Sequence, residues 1–251
     1  MSLQDREEQD VRAIRSVLAD YRRQRLKFYS AVSLNDLLVK DVVMFALRGV
    51  SSADEFIHDA FSALESSSEE TVIGSTWQRI AQDLARPAVI DAGDILAERD
   101  GTLWVVELKS QTNTLNARSS PQTIRALKAR VDDHASSRGV RRTSVRAMIA
   151  VLRGPSQTTE VKFQPKRIND TNRDLIGFSY TYIVGREFWA WLTGRPNIVA
   201  FVGTHVGSGS ELKAAKEQSL KKLKGEMQRL LTSKGLGTSI SDLIRYVDSR
   251  S

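Results

Sequence analysis

The chain has 251 residues, of which 41% are hydrophobic, enough apolar material for one large domain or two small ones and too much for wholesale disorder. It contains no cysteine, which excludes disulfides, thiolate zinc sites and cysteine nucleophiles together. The net charge of +7 is unevenly spread: residues 1–108 carry 12 Lys/Arg against 19 Asp/Glu, residues 109–173 carry 14 against 4, and residues 174–251 carry 11 against 7.

The opening Met-Ser-Leu-Gln-Asp-Arg-Glu-Glu has no apolar h-region, and no apolar run approaches the roughly 18 residues of a membrane span. A soluble cytoplasmic protein is therefore expected. Val11, Ile14, Leu18, Tyr21, Leu26 and Tyr29 recur at near-helical spacing and predict a first helix. Ser33-Leu34-Asn35-Asp36 opens a second helix that carries Leu37, Leu38, Val42, Val43, Phe45 and Ala46 and stops at Gly49. Ser52-Ala53-Asp54-Glu55 fits a capping box ahead of Phe56, Ile57, Ala60, Phe61 and Leu64. Ser66 to Glu70 is expected to be a loop leading into a new helix, with Val72, Ile73, Trp77, Ile80, Ala81 and Leu84 on its apolar side and Pro87 beyond its end.

The period then changes. Residues 88–98 and 102–109 read as short strands, apolar on both faces, and Asp100-Gly101 between them is a strong type I′ hairpin turn. Residues 121–137 read as a helix with Pro121 at its start, and Val145 to Leu152 as a buried strand. Residues 154–174 are polar and basic without clear period, and are expected to form a long loop or small lobe. Ile176 to Val184 is a further strand, Gly185 to Leu192 a short aromatic helix, and residues 210–233 a basic amphipathic helix. The order implies an α/β fold, a mixed central sheet flanked by helices. A single domain is expected, with residues 1–86 mainly helical, 87–195 the α/β core and 196–251 a C-terminal helical region.

The Asp100-Gly101 turn fixes a register in which Arg99 faces Thr102, Leu96 faces Val105 and Asp94 faces Glu107. Alternation puts Lys109 on the face of Glu107, so two carboxylates and an ammonium converge at one end of the hairpin. That chemistry suits phosphodiester hydrolysis. Carboxylates hold Mg²⁺, for which Mn²⁺ can substitute, and the metal lowers the pKa of water and neutralises phosphoryl oxygens. Asp94 and Glu107 are assigned as metal ligands, the backbone carbonyl of Leu108 as an additional ligand, and Lys109 as the residue acting on the attacking water. Acid-x-base triplets arise about four times by chance at this composition, so the strand, the turn and the paired acid carry the assignment. Asp91 is the alternative acid, but three residues from Asp94 on a regular strand it points to the other face. Glu98 lies nearer the turn. The basic excess that begins at Lys109 suits a nucleic acid. His58, His134 and His205 show no metal-binding spacing, and the glycine-rich Gly203 to Gly209 lacks a P-loop ending. Trp189 and Trp191 are expected in the core or at a dimer contact.

Gly93-Asp94 … Glu107-Leu108-Lys109, between a helical N-terminal region and a downstream helix, resembles the PD-(D/E)XK nuclease superfamily, with Gly93 where the name has proline. Ser110-Gln111-Thr112-Asn113-Thr114 resembles the polar run that follows the lysine in type II restriction endonucleases. The segment Gly185-Arg186-Glu187-Phe188-Trp189-Ala190-Trp191-Leu192 is similar to one in enzymes cutting interrupted GGNCC-type palindromes. The likeness implies a restriction-endonuclease-like fold, Mg²⁺-dependent cleavage of double-stranded DNA leaving 5′-phosphates, and a homodimer matched to a palindrome. It also implies a cognate DNA methyltransferase. Some members use a glutamate from the helix before the hairpin; here Glu70 is the candidate, while Gln78 stands more centrally in residues 70–84. Candidate DNA contacts are Gln111, Asn113, Asn116, Arg118, Lys162, Lys166, Arg167, Asn169, Asn172 and Arg173, residue types suited to base edges and phosphates. The rival readings are a structure-specific repair or junction-resolving nuclease of the same fold, and a non-catalytic DNA-binding protein.

Overall fold

The computed structural model describes residues 3–85, 89–91, 94–111, 121–139, 141, 144–164 and 172–250, with side chains described for all of these but 3, 89–91 and 94. Two compact units emerge from the chain. One comprises Met1–Leu18 and Ile73–Val206, the other Ala19–Val72 and Gly207–Ser251. These interleaved boundaries cut across the three consecutive segments expected from sequence.

The second unit is helical. It draws on α1 (Leu3–Ala31), α2 (Leu34–Leu38), α3 (Val42–Leu47), α4 (Ala53–Leu84), α8 (Ser210–Ser233) and α9 (Ile240–Asp248). Its core gathers Tyr29, Leu37, Phe56, Ile57, Phe61, Leu223, Met227, Leu231 and Leu243. The second predicted helix is in fact two. Ser33 and Asp36 form the capping box of α2, but Asp41 accepts from the Met44 N–H at 3.2 Å and starts α3 afresh. A side chain able to cap competes with continued helix at that point. At the start of α4 the Glu55 N–H donates to Ser52 Oγ at 3.2 Å. Glu55 itself reaches back to the Ser51 N–H at 2.7 Å. Backbone bonds from Ala53 N to Thr238 O and from Ile240 N to Ser51 O, both 2.9 Å, tie the beginnings of α4 and α9 together.

The loop expected at Ser66–Glu70 does not exist, because α4 runs unbroken over 32 residues. Serine has a low helix propensity, but that preference is weak beside tertiary contacts. Here Ser68 Oγ accepts from Arg25 at 3.2 Å, and Thr71 Oγ1 donates to the Ser67 carbonyl one turn earlier.

The first unit is built on a six-stranded mixed sheet in the order β1-β2-β3-β4-β6-β5. Its strands are β1 (Val89–Asp91), β2 (Asp94–Arg99), β3 (Thr102–Lys109), β4 (Val145–Val151), β5 (Gln157–Lys162) and β6 (Ser179–Val184). The first three are antiparallel neighbours, β3, β4 and β6 run parallel, and β5 closes the far edge antiparallel. On one face α5 (Pro121–Ser137) buries Ile124, Leu127 and Val131 against Val105, Ala147, Ile149, Val151 and Tyr182. On the other, Trp77, Ile80 and Leu84 of α4 join Phe188, Trp189 and Leu192 of α6 (Arg186–Thr193) over Val106, Leu108, Met148 and Ala150. A short α7 (Ile198–Gly203) adds Ile198 and Val202 to that layer.

The hairpin between β2 and β3 has the expected register, with Arg99 opposite Thr102 and Leu96 opposite Val105. Both turn residues take positive φ, 50° at Asp100 and 70° at Gly101, as a type I′ turn requires. Two expectations fail nearby. Residues 88–98 are not one strand, since the chain reverses between Asp91 and Asp94 and the two residues become direct cross-strand partners. Direct partners in an antiparallel pair share a face, so the argument that separated Asp91 from Asp94 does not hold. Residues 154–174 are not a loop throughout: Gln157–Lys162 is an edge strand whose residues alternate between partly buried and exposed. A polar, Lys-ended edge strand carries little hydrophobic signal because one side of it has no neighbour.

Candidate active site

The parallel strands β3, β4 and β6 end together, and their last residues are joined by Leu152 N to Lys109 O at 2.8 Å and Gly185 N to Val151 O at 2.9 Å. The turn into α6 depends on Gly185. Its φ is +63°, and a Cβ there would lie 2.5 Å from the Gly154 carbonyl, closer than any side chain tolerates. The carboxyl end of parallel strands is where open α/β sheets characteristically bind ligands. Glu107 and Lys109 occupy that end of β3.

Leu103 and Val105 of β3 lie in the α5-side core. Strand alternation carries Glu107 and Lys109 onto the same face, beyond the apolar part of the layer. Lys109 Nζ stands 2.6 Å from Glu107 Oε1. The second carboxylate oxygen, Oε2, faces the guanidinium of Arg130 on α5 at 3.6 Å. The ladder between β2 and β3 runs as far as Ile95 opposite Val106. Asp94 is the adjoining residue of β2 and the direct partner of Asp91 on β1.

Three residues make contacts around this cluster that were not foreseen. Gln78 on α4 donates through Nε2 to the Leu108 carbonyl at 3.3 Å, the group assigned above as a ligand. Arg153, just past β4, donates through Nε to the Ser110 carbonyl at 3.4 Å and lies over the Trp77 ring at 5.6 Å. Burial pushes its guanidinium below the usual value. Arg130 is the third. All three carry the same faint signal, a polar residue beside an apolar stripe: Gln78 follows Trp77, Arg130 precedes Val131, and Arg153 follows Leu152.

The remaining sequence candidates fare differently. Gln111 lies beyond the end of β3 at Lys109, so strand alternation no longer assigns it to the lysine's face. Lys162 ends the edge strand β5 and is exposed. Asn172 Oδ1 accepts from Arg125 at 3.0 Å, and Arg125 also grips Asp174 through two nitrogens. That pairing holds the Asp174 carboxyl below its ordinary range. Arg173 is exposed at the start of a 3₁₀ turn. Asn113, Asn116, Arg118, Lys166, Arg167 and Asn169 lie outside the described residues. Glu70 is exposed in the interior of α4, within the helical unit; it is not at a helix start, and the electrostatic reason for it there disappears. Trp189 is fully buried, its Nε1 donating to the Leu152 carbonyl at 2.9 Å, which makes it a core residue.

Among the described residues no group of three or more His, Asp and Glu stands together. The donors present are nevertheless the right kind for a small hard cation. A carboxylate at Glu107 and a carbonyl at Leu108 are oxygen ligands, and Mg²⁺ takes only one or two carboxylates while keeping several waters. No helix among the described residues is long and apolar enough to cross a membrane.

A family model for the type II restriction endonuclease EcoO109I matches residues 8–213, well over half of the chain. No curated protein sequence matches it significantly.

Proposed function

Because the chain belongs to the type II restriction endonuclease EcoO109I family, a family of site-specific DNA nucleases with a restriction-endonuclease-like fold, we propose that it is a Mg²⁺-dependent PD-(D/E)XK endonuclease. In this reading it hydrolyses both strands of duplex DNA at a short palindrome of the interrupted GGNCC type and leaves 5′-phosphates. It works as a homodimer, one active site per strand, alongside a DNA methyltransferase that protects the same sequence. Mn²⁺ substitutes for Mg²⁺, and the protein acts in the cytoplasm on incoming DNA.

The observation that carries this reading is the Glu107–Lys109 pair at the carboxyl end of β3, 2.6 Å apart, with Asp94 adjoining the Ile95–Val106 pair on β2. Asp94 and Glu107 hold the divalent cation together with the Leu108 carbonyl. When bound, the metal supplies Lewis-acid stabilisation of the phosphoryl oxygens and a more acidic water. Lys109 orients the attacking water and, as an ammonium, stabilises the negative charge that grows as the P–O bond forms, while the water's proton leaves to solvent. Gln78 fixes the Leu108 carbonyl from the opposite face of the sheet, which holds that part of β3 in place. Gln111, Lys162 and Arg173 are kept as DNA contacts, with Asn113, Asn116, Arg118, Lys166, Arg167 and Asn169 on the segments that flank α5 and β6. Asn172 serves the Arg125 clamp as well. Glu70 is not retained.

Digestion of a plasmid of known sequence with Mg²⁺ tests the proposal. Discrete fragments with 5′-phosphate ends, each bounded by one palindrome, are expected. Smearing, or cutting confined to branched junctions, supports the structure-specific nuclease instead. Tight duplex binding with no cutting in Mg²⁺ or Mn²⁺ supports a non-catalytic DNA-binding protein.

A further inference from the structure

Glu107 has more positive charge around it than a lysine ion pair needs. Lys109 takes Oε1 at 2.6 Å, and Arg130 approaches Oε2 at 3.6 Å from a different element. The second distance is that of an ion pair and is too long for a hydrogen bond. Arg130 therefore meets this carboxylate as a charge and not through a hydrogen bond. It is also firmly placed. Its neighbours on α5, Leu127 and Val131, are completely buried against the sheet, and its own side chain is 18% exposed.

A guanidinium is a poor choice for simple neutralisation of Glu107, which the closer ammonium already provides. Its planar fork matches the tetrahedral oxygens of a phosphate, to which it can donate two parallel bonds. A divalent cation held by Glu107 would bring a phosphate to this end of β3, where Arg130 stands beside Glu107. The sign of the local charge agrees, since Arg130 belongs to the stretch 109–173 with 14 basic residues against 4 acidic.

We propose that Arg130 is a catalytic residue of this site: it donates to a non-bridging oxygen of the scissile phosphate and stabilises the charge that grows there as the attacking water adds and the leaving oxygen departs. The inference rests on the nuclease reading above and adds a fourth functional side chain, supplied by α5, to Asp94, Glu107 and Lys109. No proton or electron moves through it. The bond to phosphorus forms from water and breaks to the 3′-oxygen, and Arg130 remains a cation throughout.

The test measures single-turnover cleavage and duplex affinity in Ca²⁺ for wild type, Arg130→Gln and Arg130→Lys. Loss of one preorganised donor to a developing oxyanion lowers rates by about 10²-fold or more. Arg130→Gln is expected to lose about 10²-fold in rate at saturating Mg²⁺ with less than about tenfold loss of affinity, and Arg130→Lys to recover part of the rate. If extra metal fully restores Arg130→Gln, or if it cuts within about threefold of wild type, the proposal is wrong and Arg130 merely tunes Glu107. A second measurement does not depend on cleavage. A neutral methylphosphonate at the scissile position should weaken Ca²⁺-supported binding by wild type more than by Arg130→Lys, because groups in contact are not additive. Equal weakening overturns the contact. If wild type cuts no duplex at all, the nuclease reading has failed first; if wild type cuts and the variants cut equally well, only the role of Arg130 is lost.

Discussion

Glu107 in the sheet unit and Glu65 in the helical unit are each held between two cations, and side-chain exposure barely separates them, at 17% and 11%. Glu65 lies midway along α4. It receives the Tyr29 hydroxyl on Oε1 and Lys216 on Oε2, both at 2.6 Å, with Arg25 at 3.8 Å from Oε1. Its partners thus come from α1 and α8, and Arg25 is further sandwiched over the rings of Phe28 and Tyr29. Glu107 lies at a strand end, and its tightest partner, Lys109, comes from its own strand. A carboxylate that ties three helices together is a structural device. One whose closest partner is two residues away on its own strand, with a single looser contact to α5, ties far less together and can serve chemistry at the open end of the sheet.

Substitutions can break this contrast. The largest effect is expected at the strand end: Lys109→Ala and Asp94→Asn should each lower cleavage by about 10³-fold or more while Ca²⁺-supported DNA binding survives, as should chelation of the metal in the wild type. Asp91→Asn is the sharper control, because Asp91 stands beside Asp94 in register. Comparable loss from Asp91→Asn in the cleavage assay would move the metal-binding role from Asp94 to the pair.

Next in size comes stability. Removing one partner of a buried ion pair costs about 3–5 kcal/mol, so Glu65→Ala should lower the urea midpoint markedly. Glu107→Gln should leave it nearly unchanged or slightly higher, as is common for active-site charges. Equal destabilisation would erase the distinction between the two glutamates.

The pH dependence is a finer probe. Burial by itself would raise the Glu65 carboxyl, but the bonds from Lys216 and Tyr29 and the charge of Arg25 outweigh it and leave it below its ordinary value of 4.5. A depressed carboxyl contributes stability that is present above the ordinary value and lost as pH falls through the folded one. Acid unfolding monitored by helical circular dichroism should therefore begin below about pH 4.5, and Glu65→Gln should flatten that limb. Tyr21 and Tyr29 are raised, first by burial and then by their bonds to Glu69 and Glu65. Their contribution is present below 10.0 and fades only as pH rises above it. The smallest effect belongs to Arg125→Ala: its grip on Asp174 is exposed, and a thermal melt should barely shift.

Much of the fold was legible because it follows from local rules. The Asp100-Gly101 turn set the β2–β3 register, Pro121 opened α5 at the expected residue, and the long apolar strand Val145–Val151 announced itself. The Glu107–Lys109 pair was legible to the same depth: the two share a face by alternation, and their 2.6 Å pairing follows. Where the reading failed, the missing information was non-local. Ser66–Ser68 read as a loop because serine's preference was weighed without Arg25 to meet it. The reversal between Asp91 and Asp94 was hidden because each half alternates correctly by itself. Gln157–Lys162 was hidden because an edge strand needs few apolar residues.

The sequence by itself therefore determined α5, the β2–β3 hairpin and the shared face of Glu107 and Lys109, since turn geometry and side-chain period act over a few residues. It also determined where the basic charge begins. Only the tertiary structure decided which distant groups reach the end of β3: Arg130 from α5 at Glu107, Gln78 from α4 at the Leu108 carbonyl and Arg153 from the end of β4 at the Ser110 carbonyl. Those encounters depend on how helices pack against the two faces of the sheet, and packing is a property of shapes brought together across the chain, which no local spacing encodes.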